Sequence, residues 1–174
     1  DAQNTDEIEN ESCLTYSEKA PILGASNDEP ILGADQSLNG GSVQQIMNAI
    51  VQCSNSGGGT VYLNGGTYNG QGSLNAGQGQ MIDIKNVKVV GGSQSNPNQK
   101  ATISASASST ALNFNGYGSP IPGQFSQWGP RMGYYSNSGV RLENVVFENL
   151  IFTQRGFSFN SGSLTDCVFN NLQS

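Results

Sequence analysis

Leu142-Glu143-Asn144-Val145-Val146-Phe147-Glu148-Asn149-Leu150 aligns without a gap on Leu164-Thr165-Asp166-Cys167-Val168-Phe169-Asn170-Asn171-Leu172, at an offset of 22 residues. An earlier copy, Ile82-Asp83-Ile84-Lys85-Asn86-Val87-Lys88-Val89, matches Val140 to Phe147 position for position. A fixed period of this size signals a solenoid, in which one repeat cannot bury its apolar side until the next stacks on it. The columns specify which solenoid. Ile84, Leu142 and Leu164 form an apolar column, as do Val87, Val145 and Cys167, and again Val89, Phe147 and Phe169. Polar columns alternate with them, and alternation over short runs is the strand signature. Asn86, Asn144 and Asp166 fall between the runs. Their side chains tolerate left-handed backbone and bond their own main chain, so they suit a tight corner. Short strands meeting at Asn corners every 22 residues predict an all-β fold, a short right-handed parallel β-helix. The competing reading, an antiparallel sandwich with incidental self-similarity, does not account for a nine-column ungapped match.

Upstream, Ser42 opens the one helix the sequence predicts, over residues 42–53. Ser42-Val43-Gln44-Gln45 has the form of a capping box. Val43, Ile46, Met47 and Ile50 then make one apolar stripe. A β-helix needs its first coil covered, because a bare end exposes apolar rungs and unpaired backbone. A helix just before the first strand, Thr60-Val61-Tyr62-Leu63, does that.

This amphipathic helix, followed by Gly57-Gly58-Gly59-Thr60-Val61-Tyr62-Leu63-Asn64-Gly65-Gly66-Thr67-Tyr68, then Ile82 to Gly92, then Ala101-Thr102-Ile103, resembles the opening of right-handed parallel β-helix proteins of the pectin-lyase-like superfamily. The resemblance spans about residues 42–172 and its motifs speak to fold rather than activity. Within that superfamily the acidic leader and Asn/Ser-rich body are closest in character to archaeal and bacterial adhesin-like surface proteins.

The resemblance implies two kinds of chemistry to look for. Lyases of the superfamily use calcium held by carboxylates on neighbouring coils, with Arg as base. The body here has only Asp83, Glu143, Glu148 and Asp166 as acids. Asp83 and Glu143 face outward but are expected in non-adjacent repeats, so no converging set of oxygens for a hard cation is apparent. Arg141 and Arg155 are bases by residue type alone. The hydrolases use clustered Asp with His and Lys, but His is absent and no close Asp pair exists to flank a glycosidic bond. The expectation is therefore a non-catalytic protein without cofactor or metal. The runner-up is a polysaccharide lyase or glycosidase working around Arg141 and Glu143.

Residues 1–41 read as an acidic, extended leader and 42–174 as the β-helix domain. Residues 1–35 carry nine acids against Lys19 alone, while the remainder has four acids against six bases, so the acidity behind the net charge of −6 belongs to the leader. The body has no basic patch, which argues against nucleic acid. There is no long apolar run, hence no transmembrane span. The chain opens on Asp1 and reads as a mature, processed extracellular chain. The leader repeats a short apolar run, Pro21-Ile22-Leu23-Gly24-Ala25 and Pro30-Ile31-Leu32-Gly33-Ala34. Ile22, Leu23, Ile31 and Leu32 are candidates for adding a strand to an open sheet edge of this molecule or of a neighbour; the other reading is a disordered tail.

An insertion over 115–138 interrupts the pattern with Tyr117, Phe125, Trp128, Arg131, Tyr134 and Tyr135. Three readings stand: a stacking platform for sugar rings, a protein-contact patch anchored by aromatics and Arg, or a loop that covers an apolar face. The cysteines are Cys13, Cys53 and Cys167. Cys167 shares an inward column, which leaves a Cys13–Cys53 disulfide or three unpaired thiols. The last residues stop in mid-repeat with no closing helix. The expected partner is a copy of the same chain, stacked head to tail into a fimbria-like filament, with a cell-wall or host glycan as adhesion target; the alternative is a fragment of a longer adhesin.

Overall fold

The computed structural model describes residues 35–116, 125–126, 129–130 and 138–174. Two short strands come first, β1 (Gln36–Ser37) and β2 (Gly41–Ser42), followed by α1 (Val43–Asn55). One pass of three strands follows: β3 (Gly59–Tyr62), β4 (Thr67–Asn69) and β5 (Gly72–Asn75). The next pass is β6 (Met81–Val90), β7 (Ala101–Ser104) and β8 (Thr110–Asn115). A small antiparallel pair, β9 (Phe125–Ser126) with β10 (Gly129–Pro130), intervenes. Then come β11 (Gly139–Phe152), β12 (Arg155–Asn160), β13 (Gly162–Thr165) and β14 (Val168–Gln173).

Every other pairing is parallel, and each strand meets the corresponding strand of the previous pass. β1, β3, β6, the first part of β11, and then β13 and β14 form one stack. β2, β4, β7 and the end of β11 form a second. β5, β8 and β12 form a third. The first two stacks are one sheet, because β11 passes from one to the other: Glu148 lies opposite Val90, and Leu150 opposite Ala101. The bend falls at Asn149, whose φ is 62°. Opposite it, Gly91 is obligatory, since a Cβ there would sit 1.8 Å from the Asn149 carbonyl oxygen.

The corner columns behave as their chemistry requires. Asn86, Asn144 and Asp166 have φ of 61°, 56° and 53°. Asn144 Nδ2 donates to Asn86 Oδ1 at 2.8 Å, forming an amide ladder along the stack. Asn149 and Asn171 make a second ladder, Nδ2 of Asn171 to Oδ1 of Asn149 at 2.7 Å. The register agrees with the sequence alignment: Leu142 lies opposite both Ile84 and Leu164, and Phe147 opposite both Val89 and Phe169.

Two expectations need correcting. The 22-residue spacing holds only for the last pass. Gly162 pairs with Val140 at that offset, but Val140 pairs with Ile82, 58 residues earlier. The chain between them spends residues on β7, β8 and the insertion before returning to the same stack. It follows that Asp83 and Glu143 are not in non-adjacent repeats: β6 and β11 are direct neighbours, with Arg141 opposite Asp83 and Glu143 opposite Lys85.

α1 closes the first end. Ser42 is its N-cap, accepting from Gln45 N at 3.2 Å, while Gln45 Oε1 accepts from Ser42 N at 2.8 Å. The predicted stripe of Val43, Ile46, Met47 and Ile50 is fully buried, with Ala49 and Cys53 beside it. The helix lies so close to β5 that a Cβ on Gly72 would meet Met47 at 2.6 Å. Tyr68 is buried next to it; its hydroxyl accepts from Gly40 N at 3.1 Å and faces the Leu63 and Leu38 carbonyls at 2.7 and 3.1 Å. From there one core runs through Val61, Ile84, Val87, Ile103, Phe114, Leu142, Val145 and Phe147.

Candidate functional site

Two surfaces carry the chemistry. The first is the outward face of β6 and β11, where side chains of alternate residues stand side by side across the strands. Arg141 forks onto Asp83, Nε to Oδ1 at 2.6 Å and Nη2 to Oδ2 at 3.0 Å. Lys85 faces Glu143 at 3.8 Å, and Lys88 faces Glu148 at 3.9 Å. The hydrogen bond from Arg141 holds the Asp83 carboxyl below its usual range, slight burial opposing it and the Arg141 and Lys85 charges adding to it. The same bond, with the Asp83 charge, raises Arg141 further. A guanidinium stabilised as a cation is a poor proton acceptor, so pairing works against the use of Arg141 as a base. Arg155, the other candidate, donates from Nη2 to the Ser108 carbonyl at 3.1 Å. These pairs form a charge ladder rather than a cleft.

The second surface is the end of the stack formed by β12, β13 and β14. Inward residues that are buried in earlier passes are uncovered here. Leu142 is 1% exposed and Leu164 43%; Phe147 is 0% and Phe169 40%. Phe159, in the column of buried Phe114, is also exposed, as is Val168 on the outward face opposite Val146. The rings still follow the columns: Phe169 stacks on Phe147 with centroids 5.6 Å apart, and Phe159 on Phe114 at 5.3 Å. Phe157 joins the two, edge-on to Phe147 at 4.9 Å and to Phe169 at 5.2 Å. Beside them Phe152, Arg155, Phe157, Leu172 and Gln173 line an open groove of about 550 Å³, and Lys100 Nζ donates to Gln173 Oε1.

The column pattern predicts a buried Cys167; it is half-buried, because nothing among the described residues stacks on its pass. Its thiol donates weakly to the Leu142 carbonyl at 3.4 Å, and burial is the main cause raising its pKa. Cys167 is a free thiol, whereas Cys53 is disulfide-bonded. Cys13, the partner proposed for Cys53, lies outside the described residues. At the closed end of the stack Asp35 Oδ1 accepts from Thr60 N at 2.9 Å; burial raises this carboxyl and the backbone bond opposes it.

Ile22, Leu23, Ile31 and Leu32 lie outside the described residues, as do Tyr117, Trp128, Arg131, Tyr134 and Tyr135. Phe125 lies in β9. Among the described residues no group of three His, Cys, Asp or Glu is placed to hold a metal ion, and no helix is long and apolar enough to cross a membrane. The sequence reading did not single out Phe157, Phe159 and Leu172. The signals were present: Phe157 and Phe159 alternate with polar residues, and Leu172 ends the aligned repeat opposite Leu150. No family model matches the chain, nor does any curated protein or solved structure.

Proposed function

We propose that the chain is a non-catalytic structural and adhesive protein of the cell surface, a short right-handed parallel β-helix of the pectin-lyase-like kind, whose copies assemble head to tail into a filament. The observation that carries this reading is the asymmetry between the ends: α1 covers one, while at the other nothing among the described residues covers the inward side chains Phe159, Leu164 and Phe169. A contiguous apolar surface of this kind marks an interaction site. A contact between unlike ends repeats without closing and so generates a filament. The crossover rule for parallel strands supports the right-handed reading.

The non-catalytic part is supported by the outward ladder, where Arg141 and Glu143 are each engaged by a neighbour of opposite charge. Secretion agrees with the disulfide at Cys53, and a Cys13–Cys53 bond would tie the leader to α1. Negative-stain electron microscopy of the purified native protein is the test. Filaments with one copy per repeat are expected. A strictly monomeric protein that binds cell-wall glycan through Trp128 would overturn assembly and leave adhesion standing. Turnover of polygalacturonate that is abolished by Arg141→Ala would overturn the non-catalytic reading.

A further inference from the structure

We infer that Asn39 is a site of spontaneous covalent modification. Its side-chain amide is lost as ammonia on attack by the Gly40 main-chain nitrogen, leaving aspartate or isoaspartate in the turn between β1 and β2. The same sequence one level further into the stack is locked against the reaction. None of this depends on assembly.

Leu38-Asn39-Gly40-Gly41 recurs as Leu63-Asn64-Gly65-Gly66, at an offset of 25 residues. That offset is the register of β1 on β3, in which Gln36 lies opposite Val61 and Ser37 opposite Tyr62. The bond from Leu38 N to the Tyr62 carbonyl at 2.9 Å continues it. The two tetrapeptides therefore occupy the same corner on successive levels. Asn-Gly suits this chemistry because glycine has no side chain to hinder approach of its nitrogen to the asparagine amide carbon. Identical neighbours give the two sites equal intrinsic reactivity, so a difference between them comes from the fold.

The step needs a Gly nitrogen that sheds its proton and moves onto Cγ of the preceding Asn. The N–Cγ bond forms, the Cγ–Nδ2 bond breaks and ammonia departs; water then opens the cyclic imide at either carbonyl. At Asn64 every participant is held. Gly65 N donates to the Gly91 carbonyl at 2.7 Å, and Asn64 N to the Gly92 carbonyl at 3.0 Å. The leaving nitrogen, Asn64 Nδ2, donates to Ser37 Oγ at 2.7 Å and to the Leu38 carbonyl at 2.9 Å, with Asn39 Oδ1 at 3.3 Å. A carboxylate in its place would face two acceptors and no donor from either. Gly70 N and Gly116 N, which follow Asn69 and Asn115, are likewise bonded across levels, to the Ser104 and Asn160 carbonyls.

Of the four Asn-Gly pairs in the chain, only Asn39-Gly40 has its glycine nitrogen on a side chain, the Tyr68 hydroxyl at 3.1 Å. Asn39 is exposed, and the strands on either side of the turn are two residues each, so this turn opens at low cost. The Asn64 amide also places a donor on Asn39 Oδ1, the oxygen on which negative charge develops as Cγ is attacked. In an aspartate product that oxygen still accepts from Asn64, now as a carboxylate. In isoaspartate the main chain gains a methylene ahead of Gly40, which draws Gly40 N off Tyr68 two residues before the α1 N-cap, Ser42.

Peptide mass spectrometry of the full-length native protein, incubated warm at mildly alkaline pH, reads amide loss site by site. Asn39 is expected to convert at least about tenfold faster than Asn64, Asn69 and Asn115, each ~1.4 kcal/mol of extra opening cost being a factor of about ten. In denaturing urea Asn39 and Asn64 should converge. Tyr68→Phe, which removes only the hydroxyl, should speed Asn39 and leave Asn64 unchanged. Should that variant loosen the whole stack, Asn64 accelerates with it and the native comparison decides. Independently, Asn39→Asp should keep the native melting midpoint, whereas Asn64→Asp lowers it. Equal native rates at Asn39 and Asn64, a difference that persists in urea, or a folded Tyr68→Phe protein in which Asn39 does not accelerate would overturn the inference.

Discussion

The two ends of the stack use the same kinds of residue to opposite effect. At the first end Ile46, Met47 and Ile50 of α1 lie under the opening pass, and among the described residues no large apolar side chain there is exposed. At the far end the same inward columns continue to Leu164 and Phe169, and nothing among the described residues covers them. Column decides which way a side chain points, and level along the stack decides how much of it is buried. Equivalent positions should therefore contribute unequally to stability, and the inequality should disappear when the open end is covered.

The largest effect comes from comparing one column at two levels. Phe147→Ala, at a site with rings on both sides, should cost about 3–5 kcal/mol in urea unfolding, whereas Phe169→Ala should cost less than half of that in dilute protein. Equal costs, or a Phe169 cost that grows with protein concentration, would mean that the open end is covered in solution. Next is the corner column. Asn144→Val should cost about 2 kcal/mol, from left-handed backbone strain and the lost bond to Asn86, while Asn144→Gly should cost under about 1; equal losses would show that the ladder bond, and not the backbone, matters there. At the closed end Ser42→Ala should cost about 1 kcal/mol through loss of the N-cap, read as a lower midpoint with unchanged cooperativity.

The smallest effect is on the charge ladder. The folded-state pKa of Asp83 is depressed below its unfolded value of about 3.9. Its contribution is complete above that value and is lost as pH falls through the lower, folded pKa. Both groups are exposed, so solvent and salt screen the pair. The acid-unfolding midpoint of Arg141→Gln should sit slightly higher than that of the native protein, and roughly molar salt should erase the difference. A difference that survives salt would point to packing by the Arg141 stem instead.

The parallel stacking, the corner residues and the helix cap were legible in sequence because each has a local signal: a repeat, an Asn or Asp between apolar runs, a capping box. The spacing between passes was not, because it depends on how much chain is inserted away from the repeating strand. Between Val90 and the insertion the sequence shows short strand-like runs, Ala101-Thr102-Ile103 and Leu112-Asn113-Phe114, but not their place in the stack; that β7 and β8 continue the same pass becomes apparent when Leu150 is found opposite Ala101 and Arg155 opposite Thr110. The error over Asp83 and Glu143 has the same origin. The half-burial of Cys167 was missed for a different reason, since burial depends on the pass above and not on the residue's own column.

Hydrogen bonds between parallel passes point from strand to strand, which is the direction of the stack itself. A pull applied to the two ends therefore loads them end-on, and the levels share the force in series. The weakest level is then the one that gives first. β6 meets β11 from Met81 opposite Gly139 through Val90 opposite Glu148, whereas β1 meets β3 through Gln36 and Ser37 alone. Once the Cys53 disulfide is reduced, tension applied at Asp35 should peel Asp35 to Ser42 from β3 and β4 long before it opens the Phe-stacked middle, so that reduction turns a directly loaded stack into one that yields first through a short, extensible tether.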